Sequence, residues 1–371
     1  MSLGIYIHIP FCRHKCNYCD FNSYVADSET RSVYVDALCA EIESADAPQS
    51  DVDTVYFGGG TPTVLHTEQL VRILDTVRRR FNLTDDCEIS TECNPATIDR
   101  TGFEMLRKGG FNRISMGMQS ANEEQLKILG RIHGFEDCRR CILDARDAGF
   151  DNLSLDLMSG IPEQNLDSWL ASLKEAVALS PEHISCYALR VEEGTPFADM
   201  DLNLADDEQS REMYDRCVEY LKSCGYYRYE ISNFAKSGFE SRHNMKYWLC
   251  EDFVGFGAGA FSCAFDERYS NVTKTADYIK AINSGKTAVD NRIPLSRDDR
   301  MSEFVYLGLR MDRGISCLEF KKRFSADIYD IFCDELEKNI KRGTIIRTGD
   351  VLRIAPKFVY VSNSILADFV L

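Results

Sequence analysis

Residues 6–21 read YIHIPFCRHKCNYCDF, a strand-like apolar run that passes directly into three cysteines, Cys12, Cys16 and Cys19. The spacing C-x3-C-x2-C in a loop lets three thiolates point toward one centre. Structural zinc usually has four protein ligands, and His14, the candidate for a fourth, falls inside the first interval, where closure around one tetrahedral ion would be cramped. A 4Fe-4S cluster held by three thiolates leaves one iron open for an exogenous ligand. The spacing therefore favours such a cluster over zinc or a chance grouping of cysteines.

Apolar runs of strand length alternate with amphipathic helical stretches through the first half of the chain. Strands are predicted at 5–9, 54–57, 87–91, 113–118, 153–157 and 183–189. Helices are predicted at 31–44, 67–81, 98–108, 121–128, 135–148 and 166–179. Repeated strand-helix units predict a parallel sheet with crossover helices. Because a closed eightfold barrel needs about two more units, we expect an α/β fold with an open, partial (β/α)6 barrel. Two doubly wound halves are the alternative topology.

The second half of the chain has a different character. The strand-helix pattern loosens after Leu189, and from about Pro294 the sequence becomes helical and charged before it ends in short β-like pieces. We expect a barrel domain over residues 1–240, a junction segment over 241–293 and a small, mostly helical C-terminal domain over 294–371.

Charge and cysteine usage limit the classes of partner and compartment. The formal net charge of -16 argues against a nucleic-acid or anionic-membrane partner, since phosphate binding needs a basic field. No signal peptide opens the chain, and no apolar run approaches the roughly 20 residues that span a bilayer. Most of the 15 cysteines are scattered singly, and the CxxC of Cys138 and Cys141 falls in a helical stretch, which predicts buried thiols. We expect a cytoplasmic protein without an integral membrane segment.

The predicted strands end in polar or glycine-rich residues. These strand ends carry the cysteine loop, Gly58, Gly59, Gly60, Thr61, Glu92, Gln119 and Asp156. In a parallel α/β barrel the carboxyl ends of the strands converge on one face, so we expect these residues to surround a single pocket. Three successive glycines let the backbone approach a ligand closely, although a tight turn would use them equally well.

Several motifs resemble one enzyme superfamily. CxxxCxxC after a first strand, with the aromatic Tyr18 before the last cysteine, is similar to the hallmark of radical S-adenosylmethionine (SAM) enzymes. Six short segments resemble, in the same order, those of the oxygen-independent coproporphyrinogen III oxidase family, HemN, and its relative HemW. They are YIHIPFC, GGGTP, ECNP, NRISMGMQS, LGRIH and LDLMSGIP. The resemblance implies that the methionine end of SAM chelates the open iron. A cluster reduced by a donor such as flavodoxin or ferredoxin then cleaves the sulfonium.

The resemblance also implies a set of cofactor contacts. The positions that match SAM contacts of the family are Tyr6, Gly59, Glu92, Gln119, Arg131 and Asp156, and Tyr18, Gly58, Gly60 and Thr61 complete the predicted cofactor-binding set. Glu92 and Asp156 can accept hydrogen bonds from ribose hydroxyls or an amino group, and Arg131 can pair with a carboxylate. A surface ion pair for Arg131 and a loop cap for Asp156 are the alternatives.

Departures from the oxidase pattern point to the HemW branch. The oxidases carry a further cysteine where this chain has Phe21, and they have an N-terminal extension, whereas this chain begins eleven residues before Cys12. RHNMKYW, residues 242–248, resembles the HNxxYW motif of the HemW branch. His243 offers an imidazole for haem iron, and Tyr247 and Trp248 offer flat apolar faces for a macrocycle, at a site that we expect to be accessible. A buried cluster that supports the domain junction is the alternative.

The resemblance thus implies a haem chaperone of the HemW type that binds a 4Fe-4S cluster, SAM and haem, and passes haem to an acceptor such as a respiratory protein. The alternative is an oxidase that decarboxylates the propionates of coproporphyrinogen III. A radical enzyme with an unrelated substrate is a third reading. We assign no catalytic residue from the sequence.

Overall fold

A mixed sheet of twelve strands forms the body of the molecule in the computed structural model, which describes residues 2–45 and 50–371. Its central strands are β1 (Leu3–Ile9), β2 (Val52–Gly59), β3 (Leu83–Cys93), β4 (Arg113–Gln119), β5 (Leu153–Ser159) and β6 (His183–Ala188). These six strands are parallel and adjacent in chain order. The order does not reverse, so the prediction of a (β/α)6 unit is confirmed and the doubly wound alternative is wrong.

Six helices cover the outer face of these strands. They are α1 (Ser28–Ser44), α2 (Thr67–Arg80), α3 (Arg100–Lys108), α4 (Glu123–Ile128), α5 (Phe135–Asp147) and α6 (Leu166–Ala178). Side chains alternate along each strand, as β1 illustrates: Ile5 and Ile7 join the apolar core that includes Leu38 of α1, whereas Tyr6 and His8 lie on the other face and are hydrogen-bonded to each other. The interior of the partial barrel is therefore polar.

Further strands extend the sheet on both sides. The chain continues through α7 (Asp207–Ser223), β7 (Tyr227–Arg228), β8 (Asn233–Ala235), α8 (Arg242–Trp248), β9 (Phe253–Phe256), β10 (Phe261–Ala264), β11 (Glu267–Asn271), α9 (Thr275–Asn283) and β12 (Val289–Pro294). The strand order is β12-β11-β10-β9-β1-β2-β3-β4-β5-β6-β8-β7, so β12 and β7 form the edges. Across the described ranges these two edges do not pair, which confirms an open barrel. The predicted junction segment, 241–293, continues the main sheet.

Helix α8 closes the amino-terminal end of the partial barrel. The backbone N–H groups of Arg242 and His243 donate to the carboxylate of Glu88 on β3, each at 3.2 Å. Thr54 Oγ1, on β2, is hydrogen-bonded to His243 Nδ1 at 2.9 Å. The buried Lys246 ammonium lies 2.8 Å from the carboxylate of Asp53. These contacts fix α8 as the floor of the barrel interior.

The C-terminal region has its own apolar core. It consists of α10 (Arg297–Gly308), β13 (Ile315–Ser316), α11 (Cys317–Phe324), α12 (Ile328–Ile331), α13 (Cys333–Arg342), β14 (Ile345–Thr348), β15 (Val351–Ile354) and α14 (Asn363–Leu366). Phe304, Phe320, Phe324 and Phe332 pack in its centre, mostly edge to face. The mostly helical C-terminal region is thus confirmed. In the described parts of the chain, no helix is both long and apolar enough to span a membrane.

Candidate cofactor site

A cavity of about 380 Å³ extends from the carboxyl ends of the central strands into the barrel. The predicted site residues that line it are Cys12, Cys16, Tyr18, Cys19, Gly59, Gly60, Thr61, Glu92, Gln119, Arg131 and Asp156. Those that do not line it are Tyr6, Gly58, His243, Tyr247 and Trp248. Residues that lie in or directly after five different strands therefore converge on one space, as the sequence predicts.

The cysteine loop brings three thiols to the mouth of this cavity. Thr61 Oγ1 donates to Cys12 Sγ at 3.6 Å, and Arg131 Nη1 donates to Cys16 Sγ at 3.4 Å. Burial raises the pKa of the Cys12 and Cys19 thiols, so a bound metal would be needed to hold these sulfurs as thiolates. Within residues 2–45 and 50–371, no three His, Cys, Asp or Glu side chains form a ready-made metal site. The donor set, with its hydrogen bonds to sulfur, fits an iron-sulfur cluster.

The three glycines at the end of β2 are required by packing against protein atoms. A Cβ at Gly58 would lie 3.0 Å from Glu92 Oε1, and one at Gly60 would lie 2.6 Å from the Phe11 carbonyl oxygen. Gly59 has φ +113°, and a Cβ there would lie 2.6 Å from His8 Cε1. The glycines therefore allow the end of β2 to pass close to β1 and β3, while Gly59 and Gly60 also face the cavity.

Two partly buried carboxylates face the cavity without an ion-pair partner among the described residues. Glu92 accepts hydrogen bonds from the Tyr56 hydroxyl at 3.0 Å and from the Gly59 N–H at 3.2 Å. Ser115 Oγ lies 3.2 and 3.3 Å from the two carboxylate oxygens of Asp156. Burial and the neighbouring Asp156 raise the pKa of Glu92 to about 7, and burial also raises the pKa of Asp156. This pair fits a cationic ligand, and SAM carries a sulfonium and an ammonium.

Gln119 and Arg131 form the wall next to the cysteine loop. Gln119 has φ +64°, an uncommon conformation for this residue type that turns the chain at the end of β4. Arg131 donates through Nη2 to the Gly117 carbonyl oxygen at 2.8 Å and to Asn94 Oδ1, in addition to Cys16. Its buried Nε has no acceptor among the residues that the structure describes. This orphaned donor is a further feature that a cofactor in the cavity would satisfy.

The HNxxYW segment lies in the floor of the barrel and not on an accessible surface. The His243 side chain is 1% exposed, and its Nε2 is hydrogen-bonded to the Tyr247 hydroxyl at 2.8 Å, while Thr54 occupies Nδ1. The imidazole also stacks on Tyr56 at a centroid distance of 5.3 Å. The guanidinium of Arg310 covers Trp248, with its Cζ atom 4.8 Å from the centroid of the indole ring. The expectation of an accessible imidazole is wrong, because α8 packs this face into the barrel. Haem contact by this motif stays a prediction.

The buried His243 should make stability depend on pH. Burial and the charges of Lys246 and Arg113 lower the pKa of His243 to about 3. Between about pH 3 and 6.5 the folded state keeps the imidazole neutral while the unfolded chain protonates it, so stability falls as the pH falls. When the pH is lowered from 7.5 to 5.5, the free energy of unfolding of the wild type should fall by about 1.4 kcal/mol more than that of His243→Gln, as measured by urea unfolding. His66→Gln, at an exposed position, is the control. An equal loss of unfolding free energy in the wild type and in His243→Gln would contradict a lowered pKa of His243 in the folded protein.

The cavity residues that the sequence analysis missed include Arg113 and Asn244. Arg113 begins β4 and shares its inward face with Ser115, Gly117 and Gln119, and Asn244 of α8 reaches the cavity from below. The signal for Arg113 was the period-two spacing of positions 113, 115, 117 and 119. Asn244 is the asparagine of the HNxxYW motif, but its place at the cavity depends on the packing of α8 beneath the strands.

Comparison with known proteins identifies the family. Residues 6–176 match the radical SAM superfamily, and residues 295–357 match the HemN C-terminal domain. The chain is 35% identical to the heme chaperone HemW of Bacillus subtilis over 98% of both chains. It is 34% identical to the heme chaperone HemW of Escherichia coli over 99% of this chain and 98% of that one. This chain belongs to the HemW family.

The structural comparison agrees with membership of the HemW family. Coproporphyrinogen III oxidase (HemN) from Escherichia coli, a radical SAM enzyme, superposes with a TM-score of 0.88 at 25% identity, covering all of this chain and 90% of that one. As a radical SAM protein, the HemW family member described here has a 4Fe-4S cluster and SAM as cofactors. The cysteine loop, the partly buried carboxylates of Glu92 and Asp156 and the orphaned Arg131 Nε are the features that fit them.

Proposed function

We propose that this chain is a haem chaperone, which binds haem and transfers it to an acceptor protein in the cytoplasm. The observation that carries the proposal is the likeness, over nearly the whole length of each chain, to proteins named heme chaperone HemW. Phe21 supports the same branch, because it occupies the position at which the oxidases have a further cysteine.

The barrel cavity would hold the cluster and SAM. When bound, they supply one-electron cleavage of the SAM sulfonium. Cys12, Cys16 and Cys19 would ligate the cluster, and the donors Thr61 and Arg131 would stabilise charge on two of the sulfurs. Glu92 and Asp156 would bind the cationic and hydroxyl groups of SAM. The floor made by α8 would limit the access of water from below.

We further propose that haem contacts His243, Tyr247 and Trp248. This motif connects the sequence with the HemW branch, and the structure adds a condition for its use. The His243 imidazole can reach an iron only after its hydrogen bond to the Tyr247 hydroxyl, at 2.8 Å, is broken and α8 moves away from β2. Haem binding would therefore be coupled to opening of the barrel floor.

Haem titration followed by the Soret band tests this proposal. His243→Ala should shift or erase the Soret band and leave the iron-sulfur absorption intact, because the two sites use different ligands. Tyr247→Phe keeps the ring but removes the hydrogen bond that holds the imidazole, so it should strengthen haem binding by about tenfold or less. Exposed His66→Ala is the matched control. Wild-type spectra and affinity in both His243→Ala and Tyr247→Phe would refute haem ligation by this motif.

The loop around the cluster would also receive an electron donor. Arg13, His14 and Lys15 are exposed between the first two cysteines, although the net charge of the chain is -16. A local basic patch of this kind would attract an acidic one-electron donor such as flavodoxin or ferredoxin. The haem acceptor would be a separate protein, such as a respiratory one.

A further inference from the structure

Arg113 is a buried cation without a partner. It begins β4, its side chain is 2% exposed, and it lines the cavity. Among the described residues it makes no hydrogen bond and no ion pair, and its Nε is buried without an acceptor. A guanidinium removed from water is costly unless an anion or several acceptors satisfy it. The absence of any such group in the protein around it points to a ligand.

The nearby carboxylates do not satisfy Arg113. Glu92 and Asp156 lie close enough for the charge of Arg113 to lower their pKa values, which burial raises overall. Neither, however, lies within ion-pair distance, and each has other donors: Tyr56 and the Gly59 N–H for Glu92, and Ser115 for Asp156. The guanidinium thus keeps its donor positions free toward the cavity.

Asn244 supplies a second free polar group from the floor. Its carboxamide lines the cavity and makes no hydrogen bond within residues 2–45 and 50–371. His183, which also lines the cavity, is already satisfied, since Nδ1 is hydrogen-bonded to Ser154 Oγ at 2.7 Å and Nε2 to the Tyr229 hydroxyl at 2.8 Å. Arg113 and Asn244 are therefore two groups near the floor that, among the described residues, remain available to a ligand.

We propose that Arg113 and Asn244 form a carboxylate-binding subsite at the floor of the barrel cavity. A guanidinium fork matches a carboxylate in bidentate geometry, and the Asn244 amide can donate a further hydrogen bond. The subsite differs from the place of the SAM methionine group: Arg113 and Gln119 are the two ends of β4, whose seven residues span at most about 20 Å between the end Cα atoms. This distinction rests on the proposed function, in which SAM occupies the cavity beside the cysteine loop.

Two sources could provide the carboxylate. One is a free small carboxylic acid that enters the barrel, and the other is a propionate arm of haem. The whole cavity measures about 380 Å³, which is too little for a macrocycle beside SAM, so only a propionate arm of haem could reach Arg113. Both sources present the same group to Arg113.

Titration of the anaerobically reconstituted protein with propionate tests the subsite, with propionamide as the neutral probe of the same shape. The readout is the Nε–Hε NMR signal of Arg113, assigned by its loss in Arg113→Lys. Propionate should shift this signal and propionamide should not. Arg113→Lys keeps the charge but loses the bidentate guanidinium, so it should bind propionate about tenfold more weakly. Asn244→Asp should weaken propionate binding to a similar extent. The affinity of both variants is measured by the line broadening of the propionate signals. Arg113→Met should abolish binding, and the exposed Arg216→Met should bind as wild type does.

Competition then identifies the source. Displacement of propionate by haem, but not by haem dimethyl ester, would assign the subsite to the haem propionate, whereas displacement by neither would assign it to a free carboxylic acid. Equal shifts with propionate and propionamide, or wild-type propionate binding in Arg113→Lys and Asn244→Asp, would overturn the proposal. Because propionate binding is measured without haem, its failure is distinguishable from a failure of haem binding.

Discussion

Replacing Cys16 by alanine should abolish the iron-sulfur absorption of the anaerobically reconstituted protein, and Cys12→Ala and Cys19→Ala should do the same. In the proposed site three thiolates at one cavity mouth hold the cluster, and the described residues offer no preassembled group that could replace a lost ligand. The Cys16 sulfur also receives the hydrogen bond of Arg131. Iron and sulfide content, together with the visible spectrum, measure the loss.

Cys138→Ala and Cys141→Ala are the matched controls for this prediction. Both thiols are buried in α5 within the apolar core of the barrel, and Cys138 Sγ contacts Met116 Sδ at 3.7 Å. These variants should keep the full cluster signal. A full 4Fe-4S signal in Cys16→Ala would show that the cluster is held elsewhere.

Replacing Glu92 by glutamine should weaken SAM binding by about 100-fold while the cluster remains, because it removes a partly buried charge that faces a cationic ligand. Since the pKa of Glu92 is about 7, wild-type affinity should also depend on pH. Below pH 7 the carboxyl group is protonated, so affinity should fall by about tenfold per pH unit. Glu92→Gln should lack this dependence. Isothermal titration between pH 6 and 8 measures both effects.

Other variants separate this effect from a general loss of structure. Asp156→Ala and Gln119→Ala should also keep the cluster and weaken SAM binding, since both side chains face the same cavity. The exposed Glu124→Gln on α4 should bind SAM normally. Unchanged SAM affinity in the Glu92, Gln119 and Asp156 variants together would show that the strand ends do not form the SAM site.

The barrel and the upper part of the site could be predicted because their signals are local. A strand of alternating residues, a polar strand end and an amphipathic helix each occupy a short window, and parallel strands bring their carboxyl ends together. The convergence of Glu92, Gln119 and Asp156 on one cavity follows from that rule. For the same reason the helix bounds differ from the predicted ones by only a few residues.

The floor of the barrel could not be predicted in the same way. The position of His243 depends on hydrogen bonds to Thr54 and Glu88, which are far away in sequence. An HNxxYW segment read alone offers an imidazole and two aromatic faces, whether the helix packs inward or outward. The role of the glycines at the end of β2 could not be predicted either. Their neighbours are residues of β1 and β3 and the carbonyl of Phe11, which the glycine-rich segment alone does not reveal.

The most direct test of the chaperone proposal compares haem binding with turnover of coproporphyrinogen III in one preparation. The reconstituted protein, with SAM and a reductant under anaerobic conditions, should bind haem stably and leave coproporphyrinogen III unchanged when the products are separated by chromatography. HemN from Escherichia coli, with its similar fold, is the positive control for turnover. Formation of protoporphyrinogen IX by this chain, without stable haem binding, would contradict the account and identify an oxidase.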